Sequence, residues 1–206
     1  MPLIDYDVLQ HSAPVHREPF TWVLIDDLFS ASAIDFLVEE YPTEGFTPSI
    51  SDNGHYRLDD QTVVEYGTCV NLDHLSPLWR EVIADVMDPA YRRTIAQLTE
   101  VDLSETTMKV RLCKYPPGGW MLPHTDQPRR VVTQIIYLNP EWEASWGGHL
   151  QILGSERADD VVESVSPKRN RSVLFVRSDT SYHAVTPVDE ACGKTRRTLL
   201  VQFTRE

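Results

Sequence analysis

The tripeptide His124-Thr125-Asp126 carries two side chains that bind transition metals, spaced two residues apart. Residues two apart in a β-strand point to the same face, so both side chains can reach one ion. Taken alone, a His-x-Asp tripeptide is a weak signal, because it also suits a surface turn with a solvated ion pair. A third ligand has to come from a distant strand, and His183 is the best candidate.

Two histidines and one carboxylate on one face of an octahedron leave three positions open, as in non-haem iron(II) oxygenases. The open positions accept a bidentate keto acid and then O₂. A dicarboxylate cosubstrate also needs a fixed cation at its far end, and a guanidinium binds a carboxylate through two parallel hydrogen bonds. Arg196 lies on the strand predicted after His183, with the Thr198 hydroxyl on the same strand face. The alternative for Arg196 is an exposed edge-strand charge, which would equally suit Arg197.

The elements that position these residues are mainly strands after residue 105. Short apolar or β-branched segments, separated by turns with Pro, Gly, Asn or Asp, predict at least seven of them. They are Met108–Tyr115, Val131–Leu138, Gly148–Leu153, Val161–Val165, Ser172–Val176, His183–Val188 and Arg196–Thr204.

The first 105 residues predict a supporting layer of helices and one strand. An irregular arm over the first 20 residues should lead into a strand, Phe20–Asp26, and then into a helix capped by Ser30 or Ser32 that ends before Pro42. We expect an exposed loop, a candidate lid, over 42–60. A helical stretch, Pro77–Leu98, should follow and be interrupted at Pro89. Helices followed by many strands favour an α+β or mainly β fold, a double-sheet jelly roll with the helices packed on one sheet. We expect one domain over 1–206, with support in 1–105 and the catalytic core in 106–206.

Composition narrows the class of partner. The chain has 206 residues and a formal net charge of −12, whereas nucleic-acid binding needs a positive surface, so no nucleic-acid partner is expected. No apolar run approaches the roughly 20 residues that span a bilayer, and the first residues lack the features of a signal peptide. Three cysteines are an odd number without metal-ligand spacing, which predicts free thiols in a reducing cytoplasm.

From about residue 106 to the end, the chain resembles the prolyl-4-hydroxylase-like branch of the 2-oxoglutarate/iron(II) dioxygenases. Six motifs occur in the family's order. They are Lys114-Tyr115-Pro116, His124-Thr125-Asp126, Arg130-Val131-Val132-Thr133 running on to Ile136-Tyr137-Leu138-Asn139, Gly147-Gly148-His149-Leu150, Tyr182-His183-Ala184-Val185 and Arg196-Arg197-Thr198-Leu199.

The resemblance implies a double-stranded β-helix (cupin-like) fold and oxidative decarboxylation of 2-oxoglutarate to succinate and CO₂, usually coupled to hydroxylation. It implies Fe(II), 2-oxoglutarate and O₂, with ascorbate as an expected stimulant. Carried over to this sequence, it makes His124, Asp126 and His183 the iron ligands. Arg196, helped by the Tyr137 hydroxyl, would bind the distal carboxylate of the cosubstrate, and the expected neighbouring contacts are Tyr115, Thr198 and Leu150.

The substrate end of the pocket follows from strand alternation. If Tyr115 faces the iron, Arg111 shares its face, and Gln202 shares the face of Arg196. Arg111 then pairs either with an internal carboxylate or with a substrate carboxylate, such as that of an amino acid. Arg130 is either a second cation at the rim or a solvated side chain. Trp120 either walls the substrate or packs in a turn.

Three functions compete at this point. The leading hypothesis is oxidation of an unactivated C–H bond in a small polar acid, an amino acid or a derivative of one. The second is hydroxylation of a prolyl residue in a protein partner, and the third is a cupin-like binding or sensing protein. The oligomeric state is left open.

Overall fold

The computed structural model describes residues 2–11, 14–51 and 54–205, which contain four α-helices and twelve β-strands. The helices are α1 Tyr6–His11, α2 Ala31–Glu39, α3 Pro77–Met87 and α4 Pro89–Thr99. The strands are β1 Trp22–Asp26, β2 Thr47–Ile50, β3 Tyr56–Glu65, β4 Thr68–Cys69, β5 Thr107–Tyr115, β6 Trp120–His124, β7 Arg130–Tyr137, β8 Leu150–Leu153, β9 Val161–Val165, β10 Arg171–Val176, β11 His183–Val185 and β12 Arg196–Thr204.

The strands form a curled antiparallel sheet in the order β1-β10-β7-β12-β5-β3-β6-β11-β8-β9, with β2 and β4 also paired to β3. The turn of the sheet is at β6, because this strand pairs with β3 on one side and with β11 on the other. The six strands from β1 to β3 form one layer, and the four from β6 to β9 form the layer that faces it. This is the predicted double-stranded β-helix, and the prediction is confirmed.

Two apolar clusters explain the layers. One cluster joins the helices to the outer face of the large layer through Trp79, Ile83 and Tyr91 on the helices and Leu199 and Phe203 on β12. A second, smaller cluster fills the space between the two layers, with its members Leu58, Ile135, Ile152, Phe175 and Val185 taken from both. The helices therefore pack on one sheet face, as predicted, and leave the space between the layers for the site.

Local capping accounts for the helix boundaries. The Ser30 hydroxyl accepts a hydrogen bond from the Ala33 amide at the start of α2, and Ser76 caps α3 in the same way. The predicted stretch Pro77–Leu98 is two helices, because Pro89 cannot continue α3 and instead begins α4 behind the capping residue Asp88. None of the described helices is long and apolar enough to cross a membrane.

Two predictions for the first 60 residues are wrong. Part of the expected irregular arm is the helix α1, which packs against the helical cluster through the buried Leu9. The expected loop over 42–60 contains β2 and the first half of β3, which pair from Thr47↔Asp60 to Ile50↔Arg57. Ser49, Tyr56 and Leu58 of this hairpin line the cavity between the layers.

Candidate metal centre and cosubstrate pocket

Three potential metal ligands meet between the layers. One ligand atom each of His124, Asp126 and His183 lies within 4.8 Å of the others. His124 and His183 are cross-strand partners on β6 and β11, which brings their ring centroids to 4.2 Å. Asp126 is not on the strand, as the two-residue spacing suggested, but in the loop after β6. The geometry therefore assembles the predicted triad by a strand pair and a turn.

Backbone hydrogen bonds orient both imidazoles for metal binding. Nδ1 of His124 lies 2.9 Å from the carbonyl oxygen of Leu122, and Nδ1 of His183 lies 3.0 Å from that of Ser181. A carbonyl only accepts, so each Nδ1 carries the proton and donates it. Each Nε2 then keeps a free lone pair for a metal, the usual arrangement of histidine ligands.

Both oxygens of the buried Asp126 carboxylate are held by neighbours. The Thr133 hydroxyl donates to Oδ2 at 2.6 Å, and the Arg130 guanidinium donates to Oδ1 at 2.5 Å. His183 and Arg130 nearby lower the pKa of Asp126 despite its burial. The carboxylate is therefore charged and fixed in direction. Arg130 is paired with this candidate ligand, so the expectation of a merely solvated side chain is wrong, while a contact with substrate stays a prediction.

Burial lowers the pKa of His124 to about 4, and the neighbouring His183 contributes to the same shift. An unfolded histidine titrates near about 6.5, so between these values the unfolded chain binds a proton that the folded metal-free protein does not. Neutral His124 therefore contributes its whole share of the unfolding free energy of the metal-free protein above pH ~6.5. We expect that free energy to fall as the pH drops from ~6.5 towards 4, by at most about 1.4 kcal/mol per pH unit. Urea unfolding measured at several pH values across this range tests the prediction. In the His124→Ala protein the unfolding free energy should depend less steeply on pH. The same pH dependence in the variant and the unmodified protein would contradict the prediction.

The far end of the cavity is built around Arg196. This side chain is 1% exposed, and its Nε donates to the Gly148 carbonyl oxygen at 2.8 Å. Its guanidinium lies over the rings of Tyr115 and Tyr137, at 4.7 and 5.0 Å from their centroids. Within the described residues, its Nη2 and the Tyr137 hydroxyl have no hydrogen-bond partner. A buried guanidinium with one unpaired N–H group, near a second unpaired donor on Tyr137, fits a carboxylate.

One cavity of about 340 Å³ joins the triad to Arg196. Its lining includes four of the five residues predicted to contact the cosubstrate: Tyr115, Leu150, Arg196 and Thr198. The fifth, Tyr137, is fully buried and is not among the lining residues; its ring centroid lies 5.0 Å from the Arg196 guanidinium. The residues present therefore fit both an octahedral metal with open positions and a dicarboxylate, while their individual roles stay predictions.

Some of the residues predicted to bind substrate line the cavity, and Trp120 does not. Arg111 and Gln202 line the cavity, but Arg111 already pairs with Asp60 at 2.7 Å, which is the internal-carboxylate alternative. Trp120 is not part of the cavity lining; it is the first residue of β6, and its indole nitrogen donates to the Gly54 carbonyl oxygen at 3.3 Å. Trp120 therefore packs at the strand edge, in line with the packing alternative.

Several lining residues were not anticipated. Ser49, Tyr56 and Leu58 enter from the hairpin of β2 and β3, which the sequence had suggested was a loop. The alternation of Tyr56, Leu58 and Asp60 was a usable signal for one strand face. Thr133 lay in a matched motif without an assigned role, although its hydroxyl contacts Asp126.

Comparison with known proteins relates the residues of this site to a family. Residues 110–205 match the family model described as the 2OG-Fe(II) oxygenase superfamily. The strand-rich part of the chain is therefore similar to this superfamily. The match covers the whole triad and the far-end arginine, so the resemblance drawn from the motifs is confirmed.

Two relatives and two solved structures show what the chain is similar to. The chain is 30% identical to the prolyl 3-hydroxylase OGFOD1 of Xenopus laevis over 112 residues, which are 52% of this chain and 22% of that protein. The mouse protein of the same name is 29% identical over 119 residues, so the chain spans about a fifth of the length of these relatives. A Pseudomonas putida prolyl-4-hydroxylase superposes with a TM-score of 0.67 at 23% identity, covering 90% of this chain and 92% of the other. A Trichoplax adhaerens prolyl hydroxylase bound to a hypoxia inducible factor peptide gives 0.67 at 19% identity, over 89% and 83%.

Proposed function

We propose that the chain is an Fe(II)- and 2-oxoglutarate-dependent dioxygenase that hydroxylates, or otherwise oxidises, an unactivated C–H bond. The observation that carries this proposal is one cavity lined both by the His124, Asp126 and His183 cluster and by the buried Arg196, whose Nη2 has no partner among the described residues. A metal with three protein ligands keeps positions for a keto acid and O₂. Iron(II) in this site would couple decarboxylation of 2-oxoglutarate to oxidation of the substrate.

The protein's own residues divide the work along the cavity. Arg196 and the Tyr137 hydroxyl would bind the distal carboxylate and so point the keto-acid end towards the triad. The backbone carbonyls behind His124 and His183 hold both imidazoles in the ligand orientation. Apolar walls from Leu150, Ile135 and Phe175 exclude water from the site and strengthen its electrostatic interactions.

As substrate we propose a small polar molecule, an amino acid or a derivative. The cavity of about 340 Å³ lies near the lower end of the ~300–1,000 Å³ usual for ligand sites, and it must also hold the cosubstrate. Arg130 lines the cavity, and beyond its pairing with Asp126 it would offer its remaining N–H groups to a substrate carboxylate. We also place the protein in the cytoplasm, a proposal supported by its three free cysteines.

A second candidate is a prolyl residue within a polypeptide, and it is equally supported. Relatives and solved structures with this fold are named as prolyl hydroxylases. The rim also carries Leu122, an apolar side chain 44% exposed that lines the cavity mouth. A single prolyl ring needs no more space in the cavity than a free amino acid does.

Succinate formation tests the activity and separates the substrates. Purified protein with Fe(II), 2-oxoglutarate and ascorbate should release succinate, and a true substrate should raise the rate and yield a product heavier by one oxygen atom. Free amino acids including L-proline form one arm, and proline-containing peptides with blocked termini form the other. Stimulation confined to the first arm supports the small-molecule proposal, and stimulation confined to the second supports the prolyl-residue candidate.

A third outcome would overturn the proposal of an enzyme. If the protein binds 2-oxoglutarate in calorimetry but forms no succinate with any member of either arm or without substrate, it acts as a binding or sensing protein. The Asp126→Ala protein provides the background rate for free iron in solution.

A further inference from the structure

A chain of hydrogen bonds crosses the cavity floor and ends on Asp126. On β5, Arg111 donates through Nη1 to Asp60 at 2.7 Å and through Nη2 to Oε1 of Gln202 at 3.4 Å. Gln202 donates through Nε2 to the Thr133 hydroxyl oxygen at 3.5 Å, and that hydroxyl donates to Oδ2 of Asp126 at 2.6 Å. The links join β3, β5, β12 and β7, which are neighbours in the sheet.

The direction of this chain is fixed at its cationic end. A guanidinium has donors and no acceptor, so the Gln202 group that faces Arg111 must be the carbonyl oxygen. Gln202 is 2% exposed, so protein groups are the main partners of its amide. Its amide NH₂ therefore faces Thr133, whose oxygen accepts and whose single proton must point elsewhere. The only acceptor bonded to that proton among the described residues is Asp126.

Reversing the hydrogen bond between Gln202 and Thr133 would take the Thr133 hydroxyl proton away from the Asp126 carboxylate. If the Gln202 amide were turned over, its nitrogen would face a nitrogen of Arg111, which is unfavourable. Its oxygen would draw the Thr133 proton away from Asp126. The charged, buried carboxylate would then lose the hydrogen bond to its Oδ2 and keep only the Arg130 contact at Oδ1, which is costly at low local dielectric. Arg111 and Gln202 thus select the state that holds Asp126 still.

We propose that Gln202 and Arg111 are positioning residues that orient the carboxylate of Asp126 for the metal by fixing the direction of the Thr133 hydroxyl. This inference reassigns two residues that strand alternation had suggested for substrate binding. It rests on the proposed metal site, but it is tested by the affinity for a metal ion and needs no catalytic turnover. Outer contacts of this kind typically change metal affinity by roughly 10–100-fold when removed.

The sharpest test is Gln202→Glu, measured as the dissociation constant for Mn(II), a redox-stable probe, by electron paramagnetic resonance. The introduced carboxylate offers only acceptors, so it takes the Thr133 proton and leaves Asp126 without it. We expect Mn(II) binding to weaken about tenfold. An added negative charge acting only through space would strengthen cation binding, so the two explanations predict opposite signs.

A double-mutant cycle checks that the effect passes through the hydroxyl. In a Thr133→Val background, Gln202→Glu should no longer weaken Mn(II) binding, because the proton it redirects is absent. Arg111→Met should weaken binding in the same direction, about threefold to tenfold, since Gln202 is then free to turn over. Lys109→Met is the matched control, because it removes a cation of the same strand that pairs with Glu65 and not with Gln202. It should leave the dissociation constant for Mn(II) unchanged.

Further variants distinguish a failure of the inference from a variant that does not fold and from the absence of a metal site. Thr133→Ser keeps the hydroxyl and should retain near wild-type affinity, and Gln202→Met gives an uncharged variant of similar shape with a smaller loss if Gln202→Glu does not fold. Tighter or unchanged Mn(II) binding in both Gln202 variants overturns the inference, as does an equal effect with and without Thr133. If the unmodified protein binds no Mn(II) at all, the proposed metal site itself fails.

Discussion

Replacing His183 with alanine is expected to abolish 2-oxoglutarate turnover and to weaken Mn(II) binding by more than about 100-fold, because one of three protein ligands is lost. His183 is buried, held through Nδ1 by the Ser181 carbonyl, and its ring packs at 4.5 Å from that of Phe175. The sheet around it is closed by β6 and β8, so the protein should stay folded. Succinate release and Mn(II) titration measure the effect.

The matched control for this variant is His149→Ala. His149 lies just before β8, but its ring bonds to Ser164 and to the Ala144 carbonyl rather than to the triad. Its removal should leave Mn(II) affinity unchanged. Wild-type 2-oxoglutarate consumption by the His183→Ala protein would contradict the assignment of the metal centre.

The second large effect is expected for Arg196→Ala, which should raise the dissociation constant for 2-oxoglutarate by roughly 1.5 to 3.5 orders of magnitude. Loss of one partner from a buried charged pair costs roughly 2–5 kcal/mol, much of it from leaving the other charge desolvated and unpaired. The variant also removes the cation that lies over Tyr115 and Tyr137. Calorimetric titration of 2-oxoglutarate into the Mn(II)-loaded protein measures the change.

Arg197→Ala is the control, since the register pairs Arg196 with Tyr115 and Arg197 with Lys114. The Arg197 guanidinium lies on the other face, 5.5 Å from the ring centroid of Tyr41. Its loss should affect 2-oxoglutarate binding much less than the loss of Arg196. A larger effect from Arg197 than from Arg196 would show that Arg196 does not bind the cosubstrate.

Features with short-range physical causes were predictable from the sequence. Alternation and turn residues located β9 and β12 at the bounds found, and capping residues located the start of α2. The two-residue period put Arg196, Thr198 and Gln202 on one face of β12, and the resemblance to the family indicated that this face is the inward one. The ordered motifs then identified the family, because the metal triad and the far-end arginine need fixed residue types at fixed strand positions.

Tertiary structure decided which polar residues are partners. The sequence could not say whether Arg111 faced a substrate or a carboxylate, because Asp60 lies on β3, 51 residues away, in a segment whose composition suggested a loop. Nor could it pair Arg130 with Asp126, place Trp120 against Gly54, or connect Gln202 to Thr133. Strand alternation gives the face on which a side chain lies, but a hydrogen-bond partner across the sheet depends on register and curvature, which arise only when the two layers close around the cavity.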